Sequence, residues 1–120
     1  MKVAFATNNG TRINQHFGHL RGFLVVELAD GQEVARTDVT RPAAADQSGG
    51  QGNNHVALLD PIADCDVLVA GGMGLPMQHH VERAGLDLIL TSVRDINVAL
   101  SEYLAGTLEH EADRAHQPRH

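Results

Sequence analysis

The run Cys65-Asp66-Val67-Leu68-Val69-Ala70 passes directly into Gly71-Gly72-Met73-Gly74, and from there into a helix-compatible stretch from Leu75 or Pro76 to Ala84. A short, nearly continuous apolar run is the pattern of a strand buried on both faces, as in a parallel sheet. Gly85 stops the helix, and Leu86 to Thr91 reads as a second buried strand. Two such strands joined by a helix form a strand–helix–strand unit, and the rest of the chain is read around it.

Lys2 to Thr7 reads as an earlier strand that ends in the turn-prone Asn8-Asn9-Gly10. Phe23 to Leu28 and Glu33 to Val39 are two more. The Asp30-Gly31 pair between them is a strong hairpin signal, so these two are expected to pair antiparallel. Residues 41–54 form a loop rich in Pro, Ala, Gly, Ser and Asn, longer than the ~12 residues beyond which loops are usually functional or disordered. Asn54 is positioned to cap a short helix through Leu59, and Asp60-Pro61 to open a new turn. Asp95 caps a last helix whose Ile96, Ala99, Leu100, Tyr103 and Leu104 share one face, and Gly106 ends it. The order β-ββ-α-β-α-β-α predicts an α/β domain with a mixed sheet and helices on its faces. One domain over residues 1–106 and a polar, flexible tail over 107–120 account for the chain.

Composition narrows the function. A single cysteine, Cys65, forms no internal disulfide and suits a reducing, cytoplasmic compartment. The apolar run after Lys2 is too short for a signal peptide, and no stretch approaches the ~20 apolar residues of a membrane span. A net charge of −6 with one lysine argues against a nucleic-acid partner. Eight histidines are many for 120 residues and hint at metal chemistry, although His110, His116 and His120 fall in the polar tail, where no fixed geometry is assigned to them.

Two segments carry candidate chemistry. His16-Phe17-Gly18-His19 follows the first strand, at the carboxyl edge where open α/β sheets place ligands. Imidazole is a good ligand for iron, and His16 and His19 stand at i, i+3. Phe17 would shield such a site, and Gly18 lets the backbone approach a bulky ligand. The plain alternative is a surface turn with two solvated histidines. Gly71 to Gly74 joins a buried strand to a helix N-terminus, which favours an anionic ligand. It is neither a Walker loop nor G-x-G-x-x-G, since Met77 holds the sixth position. A metal–sulfur cluster, a phosphate-bearing small molecule, or merely a tight connection all suit it.

Other residues weigh less. His79 and His80 diverge by about 100° on a helix and cannot both face one metal. His55, after the glycine-bearing loop, is a gate or a further ligand. Met73 and Met77 are more often core than ligand, and Cys65 reads as an inert small hydrophobe. No Ser/His/Asp set or paired carboxylate stands out, so no enzyme activity is expected.

Taken together, Met1 to Ala6, His16-Phe17-Gly18, Cys65 to Gly74, Ala84-Gly85, Leu90 to Ile96 and Tyr103 to Gly106 resemble the dinitrogenase iron–molybdenum cofactor biosynthesis domain. That domain is found in the NifX and NafY proteins and in the C-terminal part of NifB. The resemblance spans roughly residues 1 to 108. It implies a three-layer α/β/α fold with a mixed five-stranded sheet and a ribonuclease-H-like motif. It also implies non-catalytic carriage of an iron–sulfur or iron–molybdenum-type cluster between donor and acceptor proteins, as a monomer or weak dimer. By motif, His16 leads as metal ligand and Gly71, Gly72, Met73 and Gly74 line the cluster pocket; His19 and His55 as further ligands, and Phe17 and Gly18 as pocket residues, come from the reading of the residues above. The chain departs from many relatives in the long loop, where His55 stands alone. The competing readings are an enzyme holding a nucleotide or other phosphate on the glycine turn, and a regulatory protein-interaction module.

Overall fold

A computed structural model describes residues 1–14, 22–39, 59, 62–111 and 115–116. Its main sheet has the strands β1 (Lys2–Thr7), β2 (Gly22–Ala29), β3 (Gln32–Asp38), β4 (Val67–Ala70) and β6 (Asp87–Leu90), in the spatial order β3-β2-β1-β4-β6. A two-residue strand β5 (Met73–Gly74) pairs in parallel with β7 (Ala115–His116). Helix α1 (Leu75–Arg83) joins β5 to β6, and α2 (Ile96–Ala105) follows β6. β1 is central: it runs antiparallel to β2 and parallel to β4, which is parallel to β6.

Alternation along the strands divides the interior into two cores. Ala4, Ala6, Phe23, Leu68, Ala70 and Leu90 face one way and pack with Leu59, Ile62 and the α1 residues Met77 and Val81. Val3, Phe5, Leu24, Val26, Val67 and Val69 face the other way and pack with Ile13 and the α2 residues Ile96, Ala99 and Leu100. The result is the expected α/β mixed sheet of five strands with a helical layer on each face, consistent with the ribonuclease-H-like motif. β1 and β4 are apolar on both faces because both faces are covered.

Turn chemistry does what the residues dictate. Asp30 and Gly31 both take positive φ, 55° and 75°, as a two-residue hairpin of the primed type requires. Asp95 caps α2 by accepting from the amides of Asn97 and Val98, and Gly106 ends it in the left-handed conformation. Two details differ from the sequence reading, and a third falls outside the described residues. β4 begins at Val67 rather than Cys65, which lies in the preceding turn and donates its amide to the Ile62 carbonyl (2.9 Å). Leu104 is exposed, because only Ile96, Ala99 and Leu100 of α2 sit fully over the sheet. The expected helix from Asn54 and the turn at Asp60-Pro61 lie outside the described residues, apart from buried Leu59.

Edge strand β3 is exposed along its length and is blunted in two ways. The register with β2 shifts between Glu27 and Leu28, which pair with Ala35 and Glu33, so Val34 is the extra residue of a bulge. The shift places Glu33 and Arg36 on one face, where the guanidinium grips the carboxylate at 2.6 and 2.8 Å. Arg36 also donates to Asn97 Oδ1 of α2 (3.2 Å). Charge and bulge together discourage edge-to-edge pairing.

Candidate functional site

The carboxyl ends of β1, β4 and β6 converge on one edge of the sheet, and there the chain is tied by main-chain hydrogen bonds. The turn after β1 is self-contained. Buried Thr7 accepts through Oγ1 from the amides of Asn9 (3.2 Å) and Gly10 (2.9 Å). Asn9 Oδ1 in turn accepts from the amides of Thr11 and Arg12, both at 3.0 Å. Side chains thereby satisfy backbone donors that have no ladder partner.

The chain beyond this turn crosses the strand ends. Ile13 donates to the Arg94 carbonyl (2.7 Å), and Ile96 donates back to Thr11 (3.0 Å). Asn14 donates to the Ala6 carbonyl (2.8 Å) and accepts from the Gly71 amide (3.0 Å). The segment 15–21, which carries His16 and His19, therefore leaves from a residue bonded to the first glycine of the turn. It returns at Gly22, which stands opposite Thr7 in the β1–β2 register. Both of its ends are anchored at this edge, one at Asn14 against Gly71 and the other at Gly22 on the far side of β1. The segment after Val39 starts there too, since Val39 donates to the Phe23 carbonyl next to Gly22 (2.9 Å).

The glycine turn is built without left-handed backbone. Gly10, Gly31, Gly85 and Gly106 are the glycines with positive φ among the described residues, so Gly71, Gly72 and Gly74 are not required by dihedral angle. Gly71 and Gly72 are buried, and the Gly71 amide donates to the Asn14 carbonyl (3.0 Å). α1 starts at Gly74 with no side-chain cap, and Gln78 Nε2 donates to the Met73 carbonyl (3.0 Å).

The family model for the dinitrogenase iron–molybdenum cofactor matches residues 1–106. The chain belongs to this family. Among its relatives, the FeMo cofactor biosynthesis protein NifB of Frankia alni is 30% identical over 110 residues, covering 82% of this chain and 21% of that protein. The chain thus spans about a fifth of that relative's length. The apo form of the orange protein from Desulfovibrio gigas has the same fold, with a TM-score of 0.71 at 20% identity over 92% of each chain. A putative dinitrogenase from Methanocaldococcus jannaschii gives a TM-score of 0.69 at 13% identity, over 93% of this chain and 95% of that one.

Within this member of the dinitrogenase cofactor family, the structure separates the candidates. Gly71, Gly72, Met73 and Gly74 stand together at the carboxyl edge. Met73 is fully buried in the core that includes Met77, so at this edge it offers its main chain. His16, Phe17, Gly18, His19 and His55 lie outside the described residues. Among the described residues, no group of three or more His, Cys, Asp or Glu is arranged to hold a metal ion. His79 is exposed and His80 partly buried, as their divergence on α1 requires. Cys65 lies at the amino end of β4, the opposite end of that strand from Gly71. It is 7% exposed, and its thiol is pushed up to about 11, first by burial and then by the Asp64 carboxylate. A protonated, buried thiol there is a core residue.

Sequence reasoning missed four residues. Thr7, Asn9 and Asn14 shape the edge, and the T-x-N-G pattern held the signal for the first two. The fourth is His110, which has a fixed place. Its Nδ1 accepts from the Leu90 amide (3.1 Å) at the open edge of β6. No helix among the described residues is long and apolar enough to cross a membrane.

Proposed function

We propose that this protein is a non-catalytic carrier of an iron–sulfur or iron–molybdenum-type cluster, held at the carboxyl edge between the glycine turn and the loop 15–21. The observation that carries this reading is the anchoring of that loop: Asn14 bonded to Gly71, and Gly22 opposite Thr7. Only Gln15 separates Asn14 from His16, so their Cα atoms lie about 7 Å apart at most. That reach allows an imidazole at position 16 to approach Gly71 and Gly72. His16 is the leading ligand, with His19 and His55 as further donors, and Phe17 and Gly18 shaping the pocket.

Family membership supports a cofactor-related role, and the NifB relative names the chemistry. Few protein ligands suit a carrier, because a cluster held by one or two imidazoles dissociates more readily than one bound in a four-thiolate cradle. Partners would be the proteins that supply and receive the cluster. The reducing compartment inferred from the lone, unpaired Cys65 fits such a cargo.

The test is anaerobic loading with ferrous iron and sulfide, followed by visible absorption and metal analysis. One cluster per chain is expected, with at least a tenfold loss of affinity in His16→Ala, roughly the 1.4 kcal/mol of a single weakened ligand. Full binding by His16→Ala, or no stoichiometric chromophore in the wild type, would overturn the assignment.

A further inference from the structure

Beyond residue 106, where the family match ends, the chain folds back onto the edge described above. Leu108 packs against the α2-side core. The Glu111 amide donates to the Leu90 carbonyl (2.7 Å), while His110 Nδ1 accepts from the Leu90 amide, so the two free main-chain groups of Leu90 are both taken. Glu111 Oε2 accepts from the Ser92 amide (3.0 Å) and hydroxyl (3.1 Å). A few residues later, β7 lies in parallel register on the glycine turn, with Ala115 opposite Met73 and His116 opposite Gly74.

We infer that residues 107–111 and β7 act as a strap, latched to the end of β6 through His110 and Glu111 and laid on Met73–Gly74, that controls release of the cargo at the glycine turn. Three features point this way. The latch uses directional bonds to a carboxylate and an imidazole, the stronger class of hydrogen bond where charge is involved. The strap ends on the segment that carries the carrier reading, rather than on a remote part of the surface. Its pairing with that segment is only two residues long, so it can open without unfolding the five-stranded sheet. A strap of this kind slows escape of a weakly ligated cluster and yields when an acceptor protein displaces β7.

The inference rests on the carrier reading, and the experiment keeps their failures apart. The full-length chain is compared with Ala115→Pro, which removes an amide from β7, and with the double variant His110→Ala/Glu111→Ala, which removes the latch. Hydrogen exchange is followed at Met73, Gly74 and Leu90, with Leu68 and Val69 as controls for global folding. Each protein is then loaded with a cluster assembled from ferrous iron and sulfide, and its loss to a ferrous chelator is timed. Both variants are expected to raise exchange at Met73 and Gly74, to leave Leu68 and Val69 protected, and to release cluster about tenfold faster. Wild-type exchange at Met73 and Gly74 in Ala115→Pro, or release within twofold of wild type in both variants, overturns the strap while leaving the carrier intact. A wild type that takes up no cluster overturns the carrier reading, and the strap's control of cargo with it.

Discussion

The two halves of the sheet solve different problems with the same strand geometry. In the parallel half, β1, β4 and β6 lie in the helix-covered part of the sheet, and their carboxyl ends are knitted by backbone bonds among Ala6, Thr11, Ile13, Asn14, Gly71 and Arg94. In the hairpin half, β3 is exposed throughout, and the Glu33–Arg36 ion pair sits at its surface. The parallel half thus invests its apolar burial in holding an edge rigid. The hairpin half closes the sheet and keeps its outer strand from pairing elsewhere. A site that must present ligands at fixed separation belongs on the first kind of structure.

The contrast is broken or sharpened most strongly by truncating one buried and one exposed residue. Leu68 is fully buried in the α1-side core, and Leu68→Ala should cost about 3–4 kcal/mol through lost burial and the cavity left behind. Val34 is 58% exposed at the bulge, and Val34→Ala should change stability by no more than about 0.5 kcal/mol. Urea denaturation with unchanged m-values checks both. A large penalty at Val34 would mean that the hairpin edge is covered in solution.

Glycine substitutions give a smaller effect with the same logic. Gly10 and Gly31 both hold positive φ, 82° and 75°, but a Cβ on Gly10 would stand 3.2 Å from Asp38 Oδ2, while one on Gly31 meets nothing within 4 Å. Gly31→Ala should therefore cost about 1–2 kcal/mol from backbone strain alone. Gly10→Ala adds crowding to the same strain and shifts the turn that leads to Asn14, so it should cost more and also weaken cluster uptake. Thermal unfolding and loading assays on the two variants separate strain from site damage. Equal stability losses and equal loading would erase the distinction between the two turns.

Much of this was legible in the sequence. The buried run at Val67–Ala70, the Asp30-Gly31 hairpin, the Asp95 cap and Gly106 all announce themselves through local rules, and local rules decide those elements. What stayed hidden depends on partners far along the chain. Asn14 matters because Gly71 lies beside it, 57 residues away by position, and no periodicity marks such a pair. His110 looked idle because its partner is a backbone amide at the edge of β6, which exists only once the sheet has formed. The assignment of Gly71–Gly74 to the carboxyl edge follows from strand order. The choice of His16 over the other histidines came from family resemblance, and it stands as the proposal that the loading experiment decides.

The smallest effect tests the hairpin half by itself. Glu33 and Arg36 are close to ideal in geometry, yet both side chains are about one-third exposed, at 31% and 37%. The guanidinium holds the Glu33 carboxyl below its ordinary value of 4.5, chiefly through the hydrogen bond. A depressed carboxyl contributes stability that is fully present above the unfolded value and is lost as pH falls through the folded one, so the contribution should fade below about pH 4.5. Solvent screening limits it to about 0.2–1 kcal/mol, the range of exposed pairs. A double-mutant cycle of Glu33→Gln and Arg36→Gln should return a coupling in that range at pH 7 in low salt, shrinking in high salt and weakening progressively as pH falls below 4.5. Arg36→Gln also gives up the bond to Asn97, so its single loss should exceed that of Glu33→Gln by a few tenths of a kcal/mol. Coupling unchanged by both acid and salt would mean that the two side chains interact through packing at the bulge rather than through charge.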